Sequence, residues 1–305
     1  MKKTLVFIFI LCAVSAAARF AEAAEQCPAD AEWCPPSAGP AVTWTAPLCG
    51  QGKLVAQPYF TYTRGRGTLN DKGHYKSYTN GERKYQLLEQ VVLYYGITDH
   101  LEIDGMVSYM QNYHTADGVD ADSTGFGDTM LYGRYCLLEE TPALPCVTAI
   151  AQLKFPTGKY QKAGPDKLDT DIMGTGSYDQ GYGIILTKRV KPFIFHADAV
   201  YNLPFETRVD GVKTKYANYF NYDVGIEYFL PKGFNLLLEV NGCMQGDRKD
   251  DGESMPDTDS RVLMLGLGVG WSCDVIQALV EYQRVIAGSN YDVTDGVLVT
   301  FVYTF

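Results

Sequence analysis

Apolar and polar residues alternate over most of the chain, in runs of about ten residues separated by turns. Counting back from the end, Phe305, Tyr303, Phe301, Val299 and Val297 fall on one face of an extended segment. Thr304, Val302, Thr300 and Gly296 fall on the other, because successive side chains of a strand point to opposite sides. The same period sets Phe234, Leu236, Leu238 and Val240 against Asn235, Glu239 and Asn241. It also sets Leu263, Leu265, Leu267, Val269 and Trp271 against Met264, Gly266, Gly268 and Gly270. Read this way, strands are predicted at 53–64, 83–95, 100–112, 127–138, 146–156, 176–188, 192–203, 216–229, 234–245, 260–271, 275–286 and 294–305.

A soluble sandwich would alternate too, so the period alone does not choose a fold. Three features choose it. Aromatics sit at the ends of the apolar faces, as in a barrel with interfacial girdles. The polar faces carry Gly, Asn, Gln and Thr rather than the Lys and Glu of a soluble exterior. Connections alternate between short (near Gly96–Asp99, Lys188–Lys191, Leu230–Gly233 and Ser272–Asp274) and long (65–82, 113–125, 157–175, 204–215 and 246–259). That is the arrangement of periplasmic turns and outside loops in a transmembrane barrel. The predicted fold is all-β, an antiparallel up-and-down barrel of about twelve strands over 52–305, closed so that no backbone group is unpaired in lipid. One residue misfits. Glu89 falls beside Val91 and Leu93 on the lipid face, and a bulge or register shift is expected to turn it away.

The ends fit this reading. Lys2 and Lys3 precede the apolar run Thr4–Ala13, and small residues follow, so residues 1–24 read as a cleaved export signal with a cut near Ala23. Residues 25–51, rich in Pro, Ala and Cys, read as an irregular periplasmic lead-in or partial plug. Phe301, Tyr303 and Phe305 resemble the terminal signal read by the outer-membrane insertion machinery. With 26 basic against 36 acidic residues and net charge −10, the chain lacks the basic face of a nucleic-acid binder. No apolar run past the leader reaches the roughly 18 residues of a membrane helix.

Residues 124–206 carry a resemblance. Gly125-Phe126-Gly127-Asp128, with Gly133-Arg134-Tyr135, is followed by Pro156-Thr157-Gly158 and then by Gly174-Thr175-Gly176-Ser177-Tyr178-Asp179. Thr187-Lys188-Arg189 and His196-Ala197-Asp198 complete the run. Together they resemble the Putative MetA-pathway of phenol degradation family, with Thr187 where the family has serine. The resemblance implies an outer-membrane barrel of a Gram-negative bacterium, associated with uptake of aromatic or other apolar small molecules. Its partners would be the bilayer, lipopolysaccharide, the insertion machinery and the solute.

Alternation turns Glu102, Asp104, Asp128, Arg134, Lys154, Asp179, His196, Asp198, Asp223, Glu227, Glu239 and Glu281 inward. Such groups form either a polar constriction that sets selectivity or a structural filling of the interior. His196 and Asp198 share a face, yet no inward serine stands beside them as nucleophilic catalysis requires. Nothing points to an enzyme, a cofactor or a metal; the acidic loop 247–259 lacks calcium-loop spacing. Cys136 and Cys146, equally spaced from the turn at Leu137–Pro145, are expected to face each other and form a disulfide in an oxidising compartment. Cys243 is expected to be unpaired, with Cys27, Cys34, Cys49 and Cys273 near the periplasmic mouth. The function expected is a passive channel for small apolar or aromatic solutes. The alternatives are a structural or surface-binding barrel with a filled lumen and, more remotely, a lipid hydrolase.

Overall fold

In a computed structural model of the protein, residues 33–35, 37, 39–79, 81–161, 164–273 and 276–305 are described. The export signal therefore lies outside the described residues. Twelve strands build the wall. They are β1 (Leu54–Leu69), β2 (Arg83–Thr98), β3 (Leu101–Ala116), β4 (Thr129–Leu138), β5 (Cys146–Phe155) and β6 (Asp179–Val190). After these come β7 (Phe193–Pro204), β8 (Tyr219–Phe229), β9 (Phe234–Gln245), β10 (Ser260–Ser272), β11 (Ile276–Ser289) and β12 (Tyr291–Thr304). Each pairs antiparallel with its neighbours in sequence, and β12 returns to β1 from Val55 opposite Thr304 to Leu69 opposite Tyr291. Closure gives every strand two partners, the condition for crossing lipid without unpaired backbone.

The faces follow the alternation. Val297 and Phe301 are exposed on the outside, whereas Leu298 and Thr300 are buried within. The rings of Tyr303 and Phe305 meet edge-on at 4.7 Å between centroids, and the Phe305 amide bonds the Leu54 carbonyl at 2.9 Å. The terminal aromatic pair thus sits beside the closing seam.

The outside loops are more ordered than the sequence reading expected. Strand β3 runs on to Ala116 and folds back through Asp117-Gly118 into a strand at Val119–Phe126. Asp210-Gly211 and Asp251-Gly252 turn two further hairpins, and these join in a separate four-stranded sheet above the wall. All three turns have both central residues at positive φ, between 49° and 91°. This is the type I′ geometry that Asp-Gly favours because its twist matches that of the flanking strands.

Two expectations are corrected. Glu89 is not rescued by a bulge, because the β1–β2 and β2–β3 registers run unbroken past it, opposite Phe60 and Tyr109 on the outer face. Cys136 and Cys146 are free thiols rather than a disulfide. A bulge at Leu137 offsets the hairpin so that Cys136 faces Thr148, leaving Cys146 on the diagonal. On this diagonal the two thiols still lie in hydrogen-bond contact with each other. Cys49, Cys243 and Cys273 are also free, while Cys34 is disulfide-bonded.

Glu89 yields a test. An outward carboxylate in the apolar belt is destabilising, by about 1–2 kcal/mol at intermediate depth. Glu89→Leu should therefore raise the temperature at which the heat-modifiable barrel band unfolds on gels. An unchanged or lowered midpoint would mean that the carboxylate is solvated or partnered in the membrane.

Candidate functional site: the occupied lumen

The periplasmic half of the lumen is occupied by the chain's own lead-in. Residues 37 and 39–49 enter near the β8–β9 turn, where Trp33 packs edge-on against Phe229 at 5.6 Å. They wind along the inner wall toward β3 and leave at Gly52, whose amide bonds the Gly96 carbonyl at 2.8 Å. No period marks this stretch, and Pro40 and Pro47 exclude a helix through it. Its backbone groups consequently need partners from elsewhere.

The inward carboxylates supply them. Glu239, fully buried, accepts the amides of Ala41 at 2.9 Å and Thr43 at 2.8 Å, and the Thr43 hydroxyl at 2.6 Å. The Val42 amide adds a longer contact at 3.3 Å. Consecutive amides converging on one anion make a nest. The Trp44 amide donates to Asp198 at 2.8 Å, and the Cys49 amide donates to Glu102 at 2.7 Å. The Ser37 hydroxyl donates to both oxygens of Glu227 at 2.7 and 2.8 Å. Ala46 is held at both ends: its amide donates to the Thr187 hydroxyl at 2.9 Å, and its carbonyl accepts from Thr148 at 2.6 Å.

Arg134 is the cationic counterpart. Its guanidinium bonds Glu102, donates to Asp104 at 2.9 Å and donates to the Thr45 carbonyl at 2.9 Å. The Trp44 and Tyr94 rings lie 5.3 and 5.5 Å from it, within cation–π range. His196 bridges Glu227 at 3.0 Å and the Thr187 hydroxyl at 3.1 Å. Ser37 is bonded to the Glu227 carboxylate rather than to the imidazole, so no serine–histidine pair is formed by these residues. Asp223 faces Asp198 across β7 and β8, and Glu281 accepts from Gln283 at 2.9 Å.

Three of the predicted lumen residues do a different job. Asp128, Lys154 and Asp179 meet at the outer end of β4–β6, where they fasten the long loop 157–175. Lys154 reaches Asp179 at 2.7 Å, Asp128 at 3.7 Å and the Thr175 hydroxyl at 2.5 Å. Asp128 accepts the amides of Gly158 at 3.0 Å and Thr175 at 3.2 Å. A Cβ at Gly174 would fall 2.3 Å from an Asp128 oxygen, so a larger residue there would push that carboxylate from its place. Beyond the latch, Asn112 donates to the Thr170 carbonyl at 2.9 Å, and Met173 and Thr170 are buried.

Space remains on the other side of the lumen. A cavity of about 350 Å³ separates residues 40–49 from the β1, β2 and β12 wall, with Val55, Tyr59, Val92, Met106, Leu298 and Val302 among its lining. A wider vestibule of about 920 Å³ opens outward under the loops, lined by Thr63, Gln86, Asn112, His114, Ile172 and Thr294.

The glycine, aspartate and lysine motifs that build the latch lie within the stretch, residues 59–301, over which the Putative MetA-pathway of phenol degradation family matches. The chain belongs to this family. The COG4313 outer membrane channel from Pseudomonas putida F1 has a similar fold, at 15% identity and TM-score 0.71, covering 88% of this chain and all of that one. A NanC porin structure aligns more loosely, at 10% identity and TM-score 0.48, over 81% of this chain and 98% of that one. No curated protein matches the chain. The fold is that of outer-membrane barrels.

Removing the latch cation leaves Asp128 and Asp179 without a cationic partner, a change that costs about 3–5 kcal/mol where the pair is dry. Lys154→Met should therefore free loop 157–175 to protease at the exposed Lys159 while the barrel stays heat-modifiable. Protection equal to wild type would show that the loop is held without the latch.

Proposed function

We propose that this family member is an outer-membrane channel for small uncharged apolar or aromatic solutes, with residues 37–49 as a displaceable obstruction. The observation that carries the proposal is the asymmetry of the lumen. Hydrogen bonds tie the segment to the wall from β3 to β9, while the β1, β2 and β12 side keeps a cavity whose lining combines Val, Leu, Met and Tyr with Gln57, Gln90 and Gln277. Twelve strands enclose more than the side-chain-filled interior of eight and less than the aqueous bore of a general porin. The wall thus has room for the segment and for a solute the size of one aromatic ring. An acidic lumen disfavours anions, which suits neutral solutes. The COG4313 structure from P. putida is described as an outer membrane channel, and the family's description concerns phenol degradation; both agree with the proposal.

The competing function is a structural barrel with a permanently filled lumen, which the density of buried bonds to residues 37–49 favours. Planar-bilayer conductance and liposome swelling separate the two. Deleting residues 37–49 should raise single-channel conductance several-fold over wild type. Swelling should be faster with a neutral cresol than with benzoate of similar size. A deletion variant that inserts normally yet conducts no better than wild type would contradict the gated channel.

A further inference from the structure

Along the outer surface of β1, β12 and β11, Tyr62, Val297 and Tyr282 form an apolar row paired across the three strands, and beyond it Ile286 of β11 and Tyr291 of β12 are also exposed. The three side chains of the row are exposed. The next outward-facing row is Arg64, Asp295 and Arg284, again directly paired. Beside it the β1 register shifts between Gly65 and Gly67, and the extra residue, Arg66, reaches back to Asp295 with Nε at 2.5 Å. Arg284 approaches the other oxygen of Asp295 only to 3.8 Å. Two guanidinium groups thus approach one carboxylate, and Arg64 stands at the paired position on β1. Side-chain exposure of 42% at Arg66 and 57% at Arg284, against 11% at Asp295, leaves the positive charge facing outward.

The height of this row identifies what it meets. Asp295 precedes the terminal Phe305 by ten residues of one strand. At about 3.4 Å per residue and a tilt near 40°, that raises it about 26 Å above the lower aromatic ring. The apolar band of an outer-membrane barrel is about 25 Å tall. The arginines therefore stand at the edge of the band away from the short turns, level with the headgroups of the outer leaflet. Guanidinium forks bind phosphate in bidentate fashion. An excess positive row is unusual on a chain of net charge −10.

We propose that Arg64, Arg66 and Arg284 form a binding site for the phosphorylated glycolipid of the outer leaflet. The phosphate would lie against the arginines and the acyl chains against Tyr62, Val297 and Tyr282. The site lies outside the lumen and does not depend on the channel reading.

Native mass spectrometry of the intact barrel in detergent tests it with three probes: deep-rough lipopolysaccharide, the same glycolipid dephosphorylated, and inorganic phosphate. Wild type should retain the phosphorylated glycolipid one-to-one, and millimolar phosphate should not displace it. The R64Q/R284Q double variant should weaken retention at least tenfold, and D295N should strengthen it. Equal retention by wild type and R64Q/R284Q, equal retention of the dephosphorylated glycolipid, or displacement by free phosphate would each overturn the site. Should the double variant fail to fold, unchanged or weaker retention by D295N would overturn it.

Discussion

A carboxylate buried inside a barrel must be given donors, because leaving it unpaired in a dry interior costs several kcal/mol. In this protein the wall presents Glu102, Asp198, Glu227 and Glu239 inward, and it has few cations to answer them. The missing donors are the backbone amides and hydroxyls of residues 37–49. Glu239 illustrates the dependence most clearly, since the amides of Ala41 and Thr43 both converge on it within 2.9 Å. The need is mutual. A segment without helix or sheet has no internal partners for its own backbone, and the acidic wall provides them.

Much else follows from that exchange. The acids that hold the segment lie on the side of the lumen from β3 to β9, so the segment is drawn to that side and a cavity of mixed apolar and polar lining remains on the other. Arg134 serves both parties, neutralising Glu102 and Asp104 while donating to the Thr45 carbonyl. At the outer end the same chemistry recurs on a smaller scale, where Lys154 with Asp128 and Asp179 fastens loop 157–175 over the vestibule. Both ends of the lumen are therefore held by buried polar contacts, and at the inner end the apolar packing of Ala41 and Ala46 against the wall adds to them.

The wall was legible in the sequence because its information is periodic. Twelve strands, their faces and the inward acids could all be read from alternation. What could not be read was what the acids hold. Backbone amides have no sequence identity, and residues 37–49 carry no period to mark them as lumen-bound. The Asp-Gly pairs at 117, 210 and 251 did carry a signal, and they would have revealed the three outer hairpins. Single-residue irregularities escaped for a physical reason: the bulge at Leu137 moves Cys136 from Cys146 to Thr148 without altering the hydrophobic pattern. The latch was visible only as separate motifs, and their meeting at Lys154 requires the fold.

Residue-resolved hydrogen exchange of the intact barrel in detergent or nanodiscs, comparing wild type with Glu239→Gln, addresses the central claim most directly. The amides of Ala41, Thr43, Trp44, Ala46 and Cys49 should exchange far more slowly than an unstructured segment, with protection near that of the strand ends. Glu239→Gln should speed exchange at Ala41 and Thr43 by at least tenfold while leaving the strands protected. Exchange of these amides at the unstructured rate in wild type would contradict the account, since the carboxylates would then be held by water and not by the chain.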